Sequence, residues 1–134
     1  MTIWDNVYVL SAAYFVLAVV AIVVFLAVFE LVTKYNDWEE IKNGNLSVAL
    51  ATGGKILAIG IILAFSINSN ESLWEIFIWG TYGSLLQLVV YYLFEFFTPK
   101  FKVDEETAND NRAVGLISFI VSISLALVIG VSIA

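Results

Sequence analysis

The 134-residue chain is 61% hydrophobic and 13% charged, sets 6 Lys plus Arg against 12 Asp plus Glu for a formal net charge of −6, and contains no cysteine or histidine. One domain fits in this length, but the composition lies far from that of a soluble globular protein and calls for a bilayer. The missing thiols and imidazoles remove disulfides, zinc sites built on nitrogen or sulfur, and thiolate or imidazole catalysis, and the acidity argues against nucleic acid as a ligand.

Four apolar stretches of about 22 to 26 residues follow one another, each long enough to cross about 30 Å of hydrocarbon as a helix. The first span is predicted over residues 7–32. The six residues before it carry Asp5 and no Lys or Arg; without a basic n-region it reads as a permanent span rather than a cleavable signal. Glu30 lies about one turn inside its inner edge. A polar loop then carries Lys34, Glu39, Glu40, Lys42, Asn43 and Asn45. The second span, predicted over 46–67, places Lys55 near the bilayer midplane. The turn Asn68-Ser69-Asn70-Glu71-Ser72 leads to a third span over 73–97, with Gln87 at the depth of Lys55 and Glu95 at the depth of Glu30. Thr98-Pro99 closes it, since proline has no amide donor and disfavours helical geometry in the residue before it. The second polar loop carries Lys100, Lys102, Glu105, Glu106, Asn109, Asn111 and Arg112, and the fourth span is predicted over 113–134. The fold class is therefore an all-α membrane protein, a single transmembrane domain over 1–134, with too little chain outside the spans for a soluble catalytic domain.

The basic residues set an expected orientation. Five of the six lie in the two longer loops and the sixth, Lys55, is inside a span. The positive-inside rule puts both loops in the cytoplasm and both termini outside. Trp4 and Tyr8, Tyr35 and Trp38, and Trp74 and Trp79 flank the spans, where aromatic side chains favour the headgroup layer.

The two halves resemble each other. Phe29-Glu30-Leu31-Val32-Thr33 is matched by Phe94-Glu95-Phe96-Phe97-Thr98, and Glu39-Glu40-Ile41-Lys42-Asn43-Gly44-Asn45 by Glu105-Glu106-Thr107-Ala108-Asn109-Asp110-Asn111, at offsets of 65 and 66 residues. Two blocks in the same order at the same depth point to duplication of a helical hairpin, one copy over about 7–67 and the other over about 73–134. Tandem copies of a two-span unit share one orientation, unlike the inverted repeats of many transporters. Asp110 in place of Gly44, and Arg112 in place of Leu46, are departures between the copies.

On the intramembrane Phe-Glu of each hairpin and the acidic run leading to Asn-Gly-Asn and Asn-Asp-Asn, the chain resembles the YjfL-like family of small bacterial inner-membrane proteins, domain of unknown function three-fifty. The resemblance covers nearly the whole chain. It implies a four-span protein of the bacterial plasma membrane with a place in envelope maintenance, and it supplies no substrate or mechanism.

Several residues need a reason to be where they are. A lysine at mid-bilayer costs roughly 2.5 to 3.5 kcal/mol on insertion scales. Lys55 is either a polar staple between helices or the lining of a cavity or subunit interface that takes an anion, a lipid headgroup or a carboxylate. It is expected to be hydrogen-bonded to Gln87 and neighbouring hydroxyls, to be uncharged, or to be hydrated. In the second half Val121 stands at its place. Glu30 and Glu95 read either as structural acids, held by the loops or by nearby lysines, or as a carboxylate pair guarding a cytoplasmic vestibule. Glu39, Glu40, Glu105 and Glu106 precede spans two and four, with Asn45 and Asn111 as expected N-caps. The loops lack the dense oxygen spacing of calcium loops, and no metal or cofactor is expected.

Small residues mark the expected packing faces: Gly54, Ala58 and Gly60 on span two, and Ser118, Ser122, Ala126, Gly130 and Ala134 at four-residue spacing on span four. Such stripes let helices approach closely in lipid. Spans two and four are expected to form the tight core. Spans one and three, with Tyr91, Tyr92 and Phe94 at the inner end of the latter, are expected to face lipid or another subunit. The functional expectation is a non-enzymatic, self-associating scaffold or accessory subunit, a homo-oligomer with a cytoplasmic or membrane scaffold protein as further partner. The alternative is a small oligomeric channel or transporter using Lys55, Gln87, Glu30 and Glu95.

Overall fold

A computed structural model describes residues 3–32, 36–69, 72–96 and 103–134. Among the described residues all regular structure is helical. A 3-10 turn over Ile3–Asp5 leads into α1 (Val7–Val32), followed by α2 (Asp37–Lys42), α3 (Leu46–Ser69), α4 (Leu73–Phe96), α5 (Val103–Ala108) and α6 (Arg112–Ile133). Four of these, α1, α3, α4 and α6, are long and apolar enough to cross a membrane. Their bounds fall within two residues of the sequence expectation. Within each loop, however, the acidic run winds into a short helix, α2 or α5, that the hydropathy pattern did not predict.

The long helices begin at polar side chains that satisfy otherwise open backbone amides. The Asn6 side-chain oxygen accepts from the Tyr8 amide at 2.9 Å at the start of α1. The Ser72 hydroxyl accepts from the Glu75 amide at 3.1 Å at the start of α4. Asn45 and Asn111 do the same for α3 and α6.

The spans are not equivalent. In the most apolar stretch of α3, 50% of residues are buried, against 6% in that of α1. The most extensive interhelical contact joins α3 to α6. The two run parallel, since Ser47 lies beside Gly115, Gly54 beside Phe119 and Ser122, and Phe65 beside Gly130. A Cβ added at Gly54 would come within 3.0 Å of the Phe119 Cα, and one added at Gly115 within 2.7 Å of the Ser47 Cα. Backbones this close require the smallest residues. On α3 the buried positions recur at Ala51, Gly54, Lys55, Ala58, Ile59 and Ile62, the three-to-four spacing of one helical face. Gly60 falls off this face: nothing lies within 4 Å of where its Cβ would stand. Its expected close packing is therefore not made within the chain. The stripe on α6 is buried at Ser118, Ser122, Ala126 and Gly130, and ends before Ala134, which is exposed.

Two apolar clusters flank α3. Ala58, Ile62, Ala126, Ile129 and Ile133 fill the side toward α6. Phe29, Ile59, Leu63 and Tyr91 fill the side toward α1 and α4. Tyr91 thus departs from the expectation that the aromatic inner end of span three faces outward. Its ring meets Phe29 edge-on with centroids 5.9 Å apart, while Tyr92 is exposed as expected.

Gly115→Ala is expected to destabilise the folded protein by about 1 to 3 kcal/mol, because the new methyl group meets backbone that cannot yield. Gly60→Ala, with open space at its Cβ, is expected to be neutral or slightly stabilising. Denaturant unfolding in detergent, followed by circular dichroism, distinguishes the two.

Candidate functional site

Lys55 and Gln87, which the sequence places inside the membrane, both lie in the interior of the bundle. Lys55, next to the α6-facing Gly54, turns toward α1 and α4 and is 1% exposed. Its ammonium lies over two aromatic faces, 5.6 Å from the centroid of the Phe29 ring and 5.0 Å from that of Tyr91. A desolvated cation over an aromatic face gains about 2 kcal/mol or more, so the two rings offset a large part of the cost of placing a lysine at this depth.

Gln87 is buried one turn before Tyr91 on α4. Rather than meeting Lys55, its side-chain amide donates to the main-chain carbonyl of Ser122 on α6 at 3.1 Å. Lys55 therefore belongs to the junction of α1, α3 and α4, and Gln87 to that of α4 and α6. Among the described residues, the Gln87 carbonyl oxygen and the hydroxyls of Thr52 and Ser84, all buried, have no hydrogen-bond partner. Nothing in the apolar periodicity singled out Thr52; its three-residue spacing from Lys55 was the available signal.

Glu30, on α1 beside Phe29, is partly buried. The side chain of Glu95 lies outside the described residues, as do Lys34, Tyr35, Thr98, Pro99, Lys100 and Lys102. The expected carboxylate pair can thus be placed only at the level of its helices, α1 and α4. Among the described residues no group of three or more acidic side chains is placed to hold a metal ion.

The loop residues build a second feature at the start of α3 and α6. The Asn45 side-chain oxygen accepts from the Val48 amide at 3.0 Å, and its amide donates to Glu40 Oε2 at 3.2 Å. The Asn111 side chain accepts from the Val114 amide at 3.4 Å and donates to Glu106 Oε2 at 2.8 Å. The main chain repeats the pattern, with Asn43, Gly44 and Asn45 amides bonded to Glu39, Ile41 and Glu40 carbonyls, and Asn109, Asp110 and Asn111 amides to those of Glu105, Thr107 and Glu106. The capping role expected of Asn45 and Asn111 is made in this geometry. Glu40 and Glu106 act by holding the caps, while Glu39 and Glu105 contribute main-chain carbonyls and leave their side chains exposed.

The two caps are also joined to each other, which the sequence did not reveal. Asn45 donates to the Ala108 carbonyl at 2.9 Å, Asp110 Oδ1 accepts from the Ser47 amide at 3.0 Å, and the Ser47 hydroxyl donates to the Asn111 carbonyl. The departure of Asp110 from Gly44 now has a reason. Both positions sit at positive φ, 59° and 85°, a region open to glycine and tolerated by aspartate. Aspartate adds a carboxylate that caps the neighbouring helix.

These observations define an integral membrane protein of four apolar helices with polar residues buried between them. Comparison with known proteins places it further. The model of the Domain of Unknown Function DUF350 matches residues 2–133. The chain is 52% identical over 130 residues to the UPF0719 transmembrane protein YshE of Bacillus subtilis strain 168, covering 97% of each chain. It is 31% identical over 116 residues to the UPF0719 inner membrane protein YjfL of Escherichia coli K12, covering 87% of this chain and 86% of that one. The chain belongs to the DUF350 family, the YjfL-like group. No solved structure matches it.

Asn45→Ala and Asn111→Ala are each expected to cost about 0.5 to 2 kcal/mol. Asp110→Ala is expected to cost more than Asp110→Gly, because both lose the cap on α3 and only alanine is strained at positive φ. Equilibrium unfolding of the variants in detergent gives the order.

Proposed function

We propose that this protein is a non-enzymatic, self-associating subunit of the bacterial inner membrane, acting as a scaffold or accessory component of envelope maintenance. The observation that carries this reading is the contrast between α1 and the polar residues. In the most apolar stretch of α1 only 6% of residues are buried, whereas Lys55, Gln87, Thr52, Ser84, Ser118 and Ser122 are all buried. A conduit would open its polar residues to both sides of the membrane, but this chain encloses them and offers an apolar helix outward. The inner-membrane location follows from the Escherichia coli relative, which is named an inner membrane protein.

The architecture proposed is a tandem pair of helical hairpins related by a two-fold axis along the membrane normal. The parallel packing of α3 and α6 and the matched hydrogen bonds of the two loops support it. The orientation proposed is both loops in the cytoplasm and both termini outside, on the distribution of Lys and Arg.

In mild detergent and in nanodiscs, light scattering is expected to give a multiple of the 14.8 kDa chain mass. A monomer in both overturns self-association, and ion flux in protein-containing liposomes that Lys55→Ala abolishes would replace the scaffold with the channel reading. Because the chain has no cysteine, single cysteines report orientation cleanly. Ser69→Cys is expected to react with an impermeant maleimide in intact cells, and Asn43→Cys only after permeabilisation.

A further inference from the structure

α1 and α4 run side by side in the same direction, and near their far ends the Phe29 and Tyr91 rings meet edge-on, 5.9 Å between centroids. Toward the ends at which both helices begin, a groove lies between them. Its inner part, of about 190 Å³, is bounded by Ala21, Val24 and Phe25 of α1 and by Phe77 and Thr81 of α4, over Leu63 of α3. Leu17, Val20 and Phe77 continue it into a more open outer part between Ala13 and Val16 of α1 and Leu73 and Trp74 of α4. Trp74, 69% exposed, stacks on Phe77 with centroids 5.9 Å apart and forms the rim.

The lining and the dimensions select the occupant. Among the described residues no charged side chain borders either part, and Thr81 carries the one hydroxyl. Cavities of about 150 Å³ lined by Leu, Ile and Phe stay dry and accept apolar guests, and this lining is of that kind. Val20, Val24 and Phe77 are half-exposed, so the groove opens sideways toward whatever surrounds the spans. In a bilayer that is hydrocarbon, and a groove left unfilled there would forfeit the dispersion contacts of its walls. At 1.5 Å per residue the groove extends about 18 Å along α1 and about 12 Å along α4, against about 15 Å for the hydrocarbon of one leaflet. Its mouth is at Trp74, a residue type that favours the headgroup layer. A helix with its side chains is about 10 to 12 Å across, too broad to descend between two helices joined at Phe29 and Tyr91. A single extended hydrocarbon chain is not.

We infer that the groove between α1 and α4 is a binding site for one acyl chain of a membrane phospholipid, drawn from the leaflet at which both helices begin. The chain passes the Trp74–Phe77 stack, runs down the face of α1 formed by Ala13, Leu17 and Ala21, and ends over Leu63. Its methylenes supply the dispersion contacts that α1, the least buried of the four spans, does not obtain from the rest of the protein. The lipid thereby steadies the half of α1 that lies beyond Phe29. The inference does not depend on self-association, because Phe15, Val19 and Val23, which do not line the groove, are exposed and open to a second copy.

The test uses the full-length protein in vesicles containing a phosphatidylglycerol with a diazirine midway along one acyl chain. After illumination, fragment mass spectrometry is expected to find the label concentrated on the groove, at Val20 to Phe25 and Phe77 to Thr81, several-fold above the outward positions Phe15 and Val19 of α1 and Ile117 and Ile120 of α6. Ala21→Phe, which fills the inner part, is expected to remove that excess and leave the labelling of α6 unchanged. Should this variant lose the native circular dichroism, Thr81→Leu fills the groove from the side of α4. Even labelling of all exposed faces overturns the inference, since the lipid would then be no more than the surrounding bilayer. So does an excess that persists in a folded, filled variant. Disulfide-linked dimers formed in high yield by Val20→Cys in the membrane overturn it as well, because a second copy would then cover the groove.

Discussion

The close parallel approach of α3 and α6 is the constraint on which the rest of the structure depends. Helices in lipid gain nothing by hiding apolar surface from one another, so association rests on packing contact and on polar bonds between them. Here Gly54 meets the backbone of Phe119, Gly115 meets that of Ser47, and Ala58 and Ala126 are wholly buried. Parallel packing sets the positive ends of two helix dipoles side by side, which is unfavourable by itself. The loops answer this directly. Glu40, Glu106 and Asp110 gather around Asn45, Asn111 and the first amides of α3 and α6, bringing three carboxylates to the paired positive ends.

The same arrangement explains why a lysine can lie so deep. With Gly54 committed to α6, the next residue on α3 must point toward α1 and α4. Both supply aromatic rings there, Phe29 and Tyr91. An ammonium over such faces keeps part of the electrostatic stabilisation that water would have provided. Tyr91 is drawn into the core for this purpose and for its edge-on contact with Phe29, and α4 packs inward at Gly80, Gly83 and Ser84. α1 contributes Phe29 and a few partly buried neighbours to the interior, and leaves Phe15, Val16, Val20, Val23 and Val24 uncovered.

Two of the positions at which the chain's two halves differ bear on the α3–α6 pair. Lys55 on α3 has Val121 at the corresponding place on α6. Gly44 against Asp110 preserves the left-handed turn and adds a cap. Both changes sit on or beside the α3–α6 pair, where the two halves meet and where a difference in one is felt by the other.

The number and limits of the spans were legible in the chain alone, because predominantly apolar stretches of some 22 residues or more are accommodated in lipid as spanning helices. The sequence also determined the capping asparagines, since a short acceptor side chain before an apolar run has one local use. The small stripes of α3 and α6 were visible too, although helical periodicity alone could not tell that Gly54 packs and Gly60 does not. Other features depend on side chains far apart in the chain: the pairing of Gln87 with the Ser122 carbonyl, the aromatic surroundings of Lys55, and the bonds that tie Ser47 to Asp110 and Asn111. Local pattern records which face of a helix is buried, but the neighbour that covers it is set by the packing of all four spans together.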